Sequence, residues 1–315
     1  VANISALEPF QYHKRLQRLG LVDNPFCPYN DGRYFFPLAE QALSYNDAIS
    51  LVVEKPLKNI NIIVGNPQMG KTQLARRLHS VIRSDPSLKA QSILISGKPV
   101  TPANLVKIIA STLGLPHISN NAERMEALRN YLVKQMEERG ESLFLVIDTE
   151  INLDAMNILL EIGNWYLEFK RPRGKPVNKS LVQVLLIGRR TSPFYAERMF
   201  PQIDSLTLQT NNSRTWGTPS ILELANLLKK QVVAAGRSEP LFTDEAVDLL
   251  IEASQRVPGK LMELANQALL ELIKSNGSII TEEMVPDGLD ITPPSSQEEN
   301  TADVQMDMPE GSFAR

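Results

Sequence analysis

The sequence predicts an α/β fold, a parallel sheet covered by helices on both faces and followed by a smaller, all-helical unit. Three observations lead there. Short, almost wholly apolar runs alternate with helix-like segments up to about residue 215 of the 315, which is how a sheet buried on both faces reads. The first run leads directly into Gly65-Asn66-Pro67-Gln68-Met69-Gly70-Lys71-Thr72, which matches the P-loop pattern G-x-x-x-x-G-K-[ST]. From Pro219 onward the pattern is helical alone.

The elements follow in order. Residues 1–35 read as irregular, punctuated by Asn24-Pro25-Phe26 and Asn30-Asp31-Gly32. A helix from about Leu38 to Val53 precedes the strand Ile60–Val64, and Gln73 to Ile82 forms the helix behind the P-loop. Ser92–Ser96 is a second strand. Thr101-Pro102 opens a helix to about Leu113, a cap followed by a first-turn proline. Asn120 with Glu123 resembles a capping box for a helix to Arg139. The strand Leu143–Asp148 ends in an acid, and a helix from Leu153 to Phe169 leads to a basic loop. Strands at Leu181–Ile187 and Ile203–Leu208 complete the sheet. Helices then span Ser220–Ala235, Asp244–Gln255 and Lys260–Lys274, with a short one near Glu282.

The P-loop carries the chemistry. Its glycines allow successive N–H groups to turn toward phosphates, and the helix behind it adds a partial positive charge. Lys71 is placed to reach the β- and γ-phosphates of ATP, and the Thr72 hydroxyl to ligate Mg²⁺. The complementary acid is Asp148, preceded by five apolar residues, where it would hold Mg²⁺ through water. The residue after it is Thr149, and Glu150 comes one further on. Adjacent side chains on an extended segment face opposite sides. Glu150 therefore reaches an attacking water only where the strand has already turned, and slow hydrolysis is expected.

Leu19-Gly20-Leu21, Asn24-Pro25-Phe26 and Asp31-Gly32-Arg33-Tyr34-Phe35-Phe36, followed by the P-loop, resemble the opening of ExeA-type AAA+ ATPases of bacterial secretion systems. TnsC-type transposition regulators and MuB-like proteins are broader relatives. Leu186-Ile187-Gly188, Pro240-Leu241-Phe242-Thr243 and Val257-Pro258-Gly259-Lys260 extend the similarity, which covers roughly residues 16–285. The resemblance implies an adenine-side arm at 1–35, an AAA+ P-loop domain at 36–215 and a helical lid at 216–285, to which the composition adds an acidic tail at 286–315. It makes Pro25, Phe26 and Arg33 candidates for the adenine wall. It puts Arg189, beside Arg190, at the sensor-1 position and makes Arg198 the candidate arginine finger acting on a neighbour's site. Lys260 stands where the family has a lid arginine. A homo-oligomer, a ring or a filament, is implied, with two functions open. One is a nucleotide-gated DNA-binding scaffold regulating transposition. The other is an ATPase that assembles or remodels a protein secretion complex.

Composition bounds the alternatives. The hydrophobic fraction of 43% suits a globular chain with a real core. The single cysteine, Cys27, excludes an internal disulfide and a cysteine metal cluster, and His13, His79 and His117 are scattered. No apolar stretch reaches the ~18–20 residues a membrane span needs, so a cytoplasmic location is the expectation. Pro286 to Arg315 carries seven acids against Arg315 alone; that net of −6 within a total of −3 leaves the body at about +3. Such a tail is too polar to offset its ordering entropy and is expected to be disordered. Lys170, Arg171, Arg173, Lys175 and Lys179 form a basic loop, a candidate contact for the phosphates of double-stranded DNA. The protein partner is not named by any motif.

Overall fold

The computed structural model describes residues 9–27, 34–97, 99–149, 151–169, 176–189 and 210–286. Five strands form one parallel sheet: β1 (Ile60–Gly65), β2 (Ala90–Ser96), β3 (Ser142–Asp148), β6 (Val182–Arg189) and β7 (Thr210–Thr215). Their spatial order is β2-β3-β6-β1-β7. The crossovers are helical: α2 (Ala39–Glu54) leads into β1, α3 (Lys71–Ser84) follows it, α4 (Pro102–Thr112) and α5 (Asn121–Arg139) join β2 to β3, and α6 (Leu153–Gly163) follows β3.

Side-chain alternation explains the two-sided burial. On β3, Leu143, Leu145 and Ile147 enter a core with α4, α5 and α6. The intervening Phe144 and Val146 enter a second core with α2 and α3. The same alternation runs along β6, with Val182, Val184 and Leu186 on one face and Leu185 and Ile187 on the other. The fold is thus the parallel α/β architecture that the apolar runs predict.

The helical unit comprises α7 (Ile221–Ala234), α8 (Asp244–Ala253) and α9 (Pro258–Ser275). Ser220 caps α7 in a reciprocal box with Glu223, and Thr243 caps α8 through the Ala246 N–H. A short 3₁₀ turn at Glu282–Met284 follows. The third core joins this unit to the start of the chain, since Leu16, Leu19, Leu21 and Phe26 pack with Leu228, Leu250 and Leu264.

Several elements differ from the sequence expectation. Within the stretch expected to be irregular, Pro9–Arg18 forms α1, and its Arg15 donates to the Ile273 carbonyl of α9 at 2.7 Å. The helix expected over 153–169 ends at Gly163 with Asn164 as C-cap. Tyr166–Phe169 (β4) then pairs antiparallel with Val177–Ser180 (β5). The basic residues 170–175, expected as a loop, fall between these two strands in the sequence and lie outside the described residues. The strand expected at 203–208 lies outside the described residues, and the fifth position of the sheet is taken by β7, Thr-Asn-Asn-Ser-Arg-Thr. Among the described residues it pairs with β1 alone, and a strand with one partner needs no two-sided apolar surface. Asn120 caps α5 through the Ala122 N–H and gives its side-chain amide to Glu123 at 3.4 Å, an asparagine cap in place of the reciprocal box. The helix expected to reach Gln255 ends at Ala253, because Gln255 and Arg256 are left-handed. Among the described residues, no helix is long and apolar enough to cross a membrane.

Candidate functional site

The P-loop joins the C-terminal end of β1 to α3, with Gly70 as the helix N-cap at φ +85°. That conformation suits glycine, and the space does too, since a Cβ there would come within 2.8 Å of Gln41 Nε2. Gln41, buried on α2, donates from Nε2 to the Met69 carbonyl at 2.8 Å and accepts from the Leu38 N–H at 3.1 Å. It thereby holds the loop to the preceding helix. The other end of the loop rests on Trp216: a Cβ on Gly65 would meet Trp216 Cβ at 3.3 Å, while Trp216 donates its N–H to the Val64 carbonyl at 2.8 Å and its indole N–H to Ser44 at 2.9 Å.

Lys71 and Thr72 stand in the first turn of α3, where a helix dipole and outward N–H groups favour an anion. Lys71 is 7% exposed. Its Nζ donates to the Gly65 carbonyl at 2.8 Å and the Asn66 carbonyl at 2.6 Å. Asp148 ends β3, half-buried, directly across from Ser96 of β2. Between β3 and β1 runs β6, whose Gly188 pairs with Val64 and Arg189 with Gly65. Thr149 follows Asp148 and donates its hydroxyl to the Gly97 carbonyl at 3.0 Å.

These parts enclose one cavity of about 890 Å³. Pro67, Gln68, Gly70, Lys71, Thr72 and Asp148 form its polar floor. Pro25 and Phe26 of the N-terminal segment close one side, with Leu227 of α7 and Met262 of α9. Asn24 fixes that segment: its amide donates to Tyr12 at 2.8 Å and to Asn266 of α9 at 2.7 Å, and its oxygen accepts from the Phe26 N–H at 2.9 Å. Phe26 also stacks edge-on against Phe242, with ring centroids 5.6 Å apart. Phe35 and Phe36, half-buried, border the cavity as well.

The tip of α9 touches the P-loop directly. The Gly259 N–H donates to the Gln68 carbonyl at 2.8 Å, and Gln68 Nε2 donates to Glu263 at 3.2 Å. Gln68 takes a left-handed φ of 60° to do so. Any side chain at 259 would collide, since a Cβ would sit 2.7 Å from Gln68 Cβ.

The sequence-predicted residues divide accordingly. Pro25, Phe26, Pro67, Gln68, Gly70, Lys71, Thr72 and Asp148 meet at the cavity. Gly65 and Met69 are buried behind the loop and Asn66 is exposed upon it. Lys260 does not border the cavity; it is half-buried and its Nζ lies 3.4 Å from Gln255 Oε1. Arg33, Glu150, Arg198, Lys170, Arg171, Arg173 and Lys175 lie outside the described residues, and Lys179 stands on β5. Sequence reading missed Gln41, Trp216 and the Gly259 contact. The one available signal was the Pro258-Gly259 pair opening a helix.

No family model matches the chain, and no curated protein matches it. Solved structures do. The ADP form of the Aeropyrum pernix ORC2 protein superposes with a TM-score of 0.59 at 14% identity, over 84% of this chain and 71% of that one. Cdc6p from Pyrobaculum aerophilum gives 0.58 at 14% identity, over 82% and 68%. The Aeropyrum pernix ORC1 protein in complex with DNA gives 0.57 at 15% identity, over 82% and 66%. The fold is that of a P-loop AAA+ protein with a C-terminal helical lid. The cavity lies between the sheet core and the helical unit of α7, α8 and α9, which stands in the place of such a lid.

Among the described residues, no group of three His, Cys, Asp or Glu could hold a metal by itself. Thr72 and Asp148 still suit Mg²⁺, which commonly takes one or two protein oxygens and completes its shell with phosphate and water.

Proposed function

We propose that this chain is an ATP-binding, slowly hydrolysing AAA+ ATPase. In this reading it assembles with nucleotide as a homo-oligomer and serves as a DNA-binding scaffold of the kind that regulates transposition. The observation that carries the nucleotide reading is the meeting of P-loop and Asp148 at one cavity roofed by the lid and the N-terminal segment. The similarity to a protein solved in an ADP form supports it.

The chemistry follows from the residues. Lys71 exchanges its two loop carbonyls for phosphate oxygens, and its charge offsets theirs. Thr72 and Asp148 would hold Mg²⁺, whose charge would offset that of the phosphates. Turnover is expected below ~1 s⁻¹, the low end for enzymes. The position after Asp148 is a threonine tied to Gly97, so a carboxylate that aligns water must come from elsewhere. A misplacement of ~1 Å can cost ~10²-fold. Glu150 is the candidate.

Two observations favour DNA as partner. Lys55, Lys89 and Lys179 interact at the N-terminal edge of the sheet, and the sequence adds the basic residues Lys170, Arg171, Arg173 and Lys175 shortly before Lys179. One similar protein was solved with DNA bound. Phosphate contacts by such a loop require no base sequence.

Calorimetry with Mg-ATP tests the site: wild type binds and Lys71→Ala does not. Equal affinity in the variant would remove the site assignment. ATP hydrolysis assayed with and without double-stranded DNA tests the scaffold. Stimulation by DNA supports it, whereas rapid turnover indifferent to DNA would move the reading to a motor acting on a protein complex.

A further inference from the structure

We propose that Gln231 selects the base, accepting a hydrogen bond from the exocyclic amine of adenine. The proposal rests on the nucleotide reading above and deepens it. Leu227 and Gln231 stand one turn apart on α7, on the same face, and both border the cavity. Around them Pro25, Phe26 and Met262 supply an apolar wall, suited to a flat aromatic ring with a few fixed polar contacts.

Gln231 is 7% exposed, and its Oε1 is buried without a hydrogen-bond partner. An acceptor left so is costly, and native proteins rarely leave one without a purpose. Gln41, the other buried glutamine at this cavity, has both ends of its amide engaged, by Met69 and Leu38. Gln231 alone of the two has capacity to spare. Adenine presents an amine donor beside ring-nitrogen acceptors, and a carboxamide presents an acceptor beside a donor. Oε1 takes the amine, and Nε2 is left to donate to a ring nitrogen.

The test compares Mg-ATP with Mg²⁺ and the triphosphate of purine riboside, which carries hydrogen in place of the amine. Affinities are measured by calorimetry on the whole chain, wild type and Gln231→Met. Wild type is expected to bind ATP about tenfold tighter, equivalent to about 1.4 kcal/mol, and Gln231→Met to bind the two alike. The unfolding temperature of the nucleotide-free protein should hold or rise in Gln231→Met, because an unsatisfied polar group has been replaced by an apolar one of similar shape. A merely structural glutamine would lower it and leave the ratio intact. Gln231→Leu supplies the same comparison if the methionine variant does not fold. A wild type with no preference, or a preference that the variant retains, overturns the role of Gln231 and leaves the nucleotide site standing. A wild type that binds neither triphosphate overturns both.

Discussion

Asp148 and Lys55 show how position within one sheet gives charged residues opposite uses. Asp148 sits at the C-terminal end of β3, half-buried and bordering the cavity. Asp148→Ala should leave the fold intact and abolish the dependence of ATP binding on Mg²⁺. Titration with and without the metal checks this, and an unchanged dependence would mean another residue holds the ion. Lys55 stands before β1, at the opposite edge, 5% exposed and left-handed at φ 52°. Burial first, then the charges of Lys179 and Lys89, lowers its pKa from 10.5 to about 8. Between those values the unfolded chain holds a proton that the folded chain has released, so the contribution of Lys55 to stability rises with pH across that window. Lys55→Met has no such proton to release. Thermal unfolding of both proteins at pH 7.5 and pH 10 should therefore show wild type gaining relative to the variant at the higher pH. A gap independent of pH would show that Lys55 keeps its ordinary proton affinity.

At the scale of elements, the decisive contact is α9 against the P-loop. Pro258 fits the first turn of a helix, where its missing N–H costs nothing, and Gly259, lacking a side chain, lies directly on Gln68. Gly259→Ala would drive a Cβ to 2.7 Å from Gln68 Cβ and 2.8 Å from its carbonyl oxygen. Because one obstacle is backbone, the lid must shift. Urea unfolding should register a loss of about 1–3 kcal/mol, as for other overpacked sites, and ATP should bind more weakly. If neither changes, lid and loop are held together elsewhere. Elements also mark where sequence reading succeeded. The helix α4 was legible from Thr101, because a cap is a bond across two or three residues, and α7 and α8 from their helical pattern, with Ser220 and Thr243 found as their caps in the structure. The β4–β5 hairpin was not: Trp165 and Leu181 are joined by a backbone bond of 2.9 Å across the turn, a pairing that helical periodicity in 153–163 conceals. Nor was β7, whose polar residues carry no strand signal and whose one partner among the described residues is β1.

Across the whole molecule, the two ends of the described chain fold together. Leu16, Leu21 and Phe26 belong to the lid's core, apart from the two cores of the sheet. A ligand in the cavity therefore touches the sheet through the P-loop, and the lid through Leu227 and Met262. A nucleotide bound to both fixes their relation, which is how binding energy reaches surfaces distant from the phosphates. ATP should accordingly promote assembly. Light scattering with a non-hydrolysable analogue is expected to show a rise in molar mass that Lys71→Ala lacks. A monomer at every nucleotide concentration would rule out this part of the reading.

The local chemistry was determined by sequence alone. Gly65 to Thr72 make a P-loop because eight consecutive residues supply the turn, the cation and the hydroxyl, and the alternating apolar runs require a sheet covered on both faces. The acid at the end of β3 was legible for the same reason, since burial of the run before it is written into that run. Tertiary structure decided what surrounds the phosphates. Gln41 lies 28 residues from the carbonyl it holds, Gly259 meets Gln68 from the far end of the chain, and Gln231 borders the same cavity as Phe26. No pattern within a segment encodes such neighbours. They arise only when three separate cores pack and bring distant backbone and side chains to the mouth of one sheet.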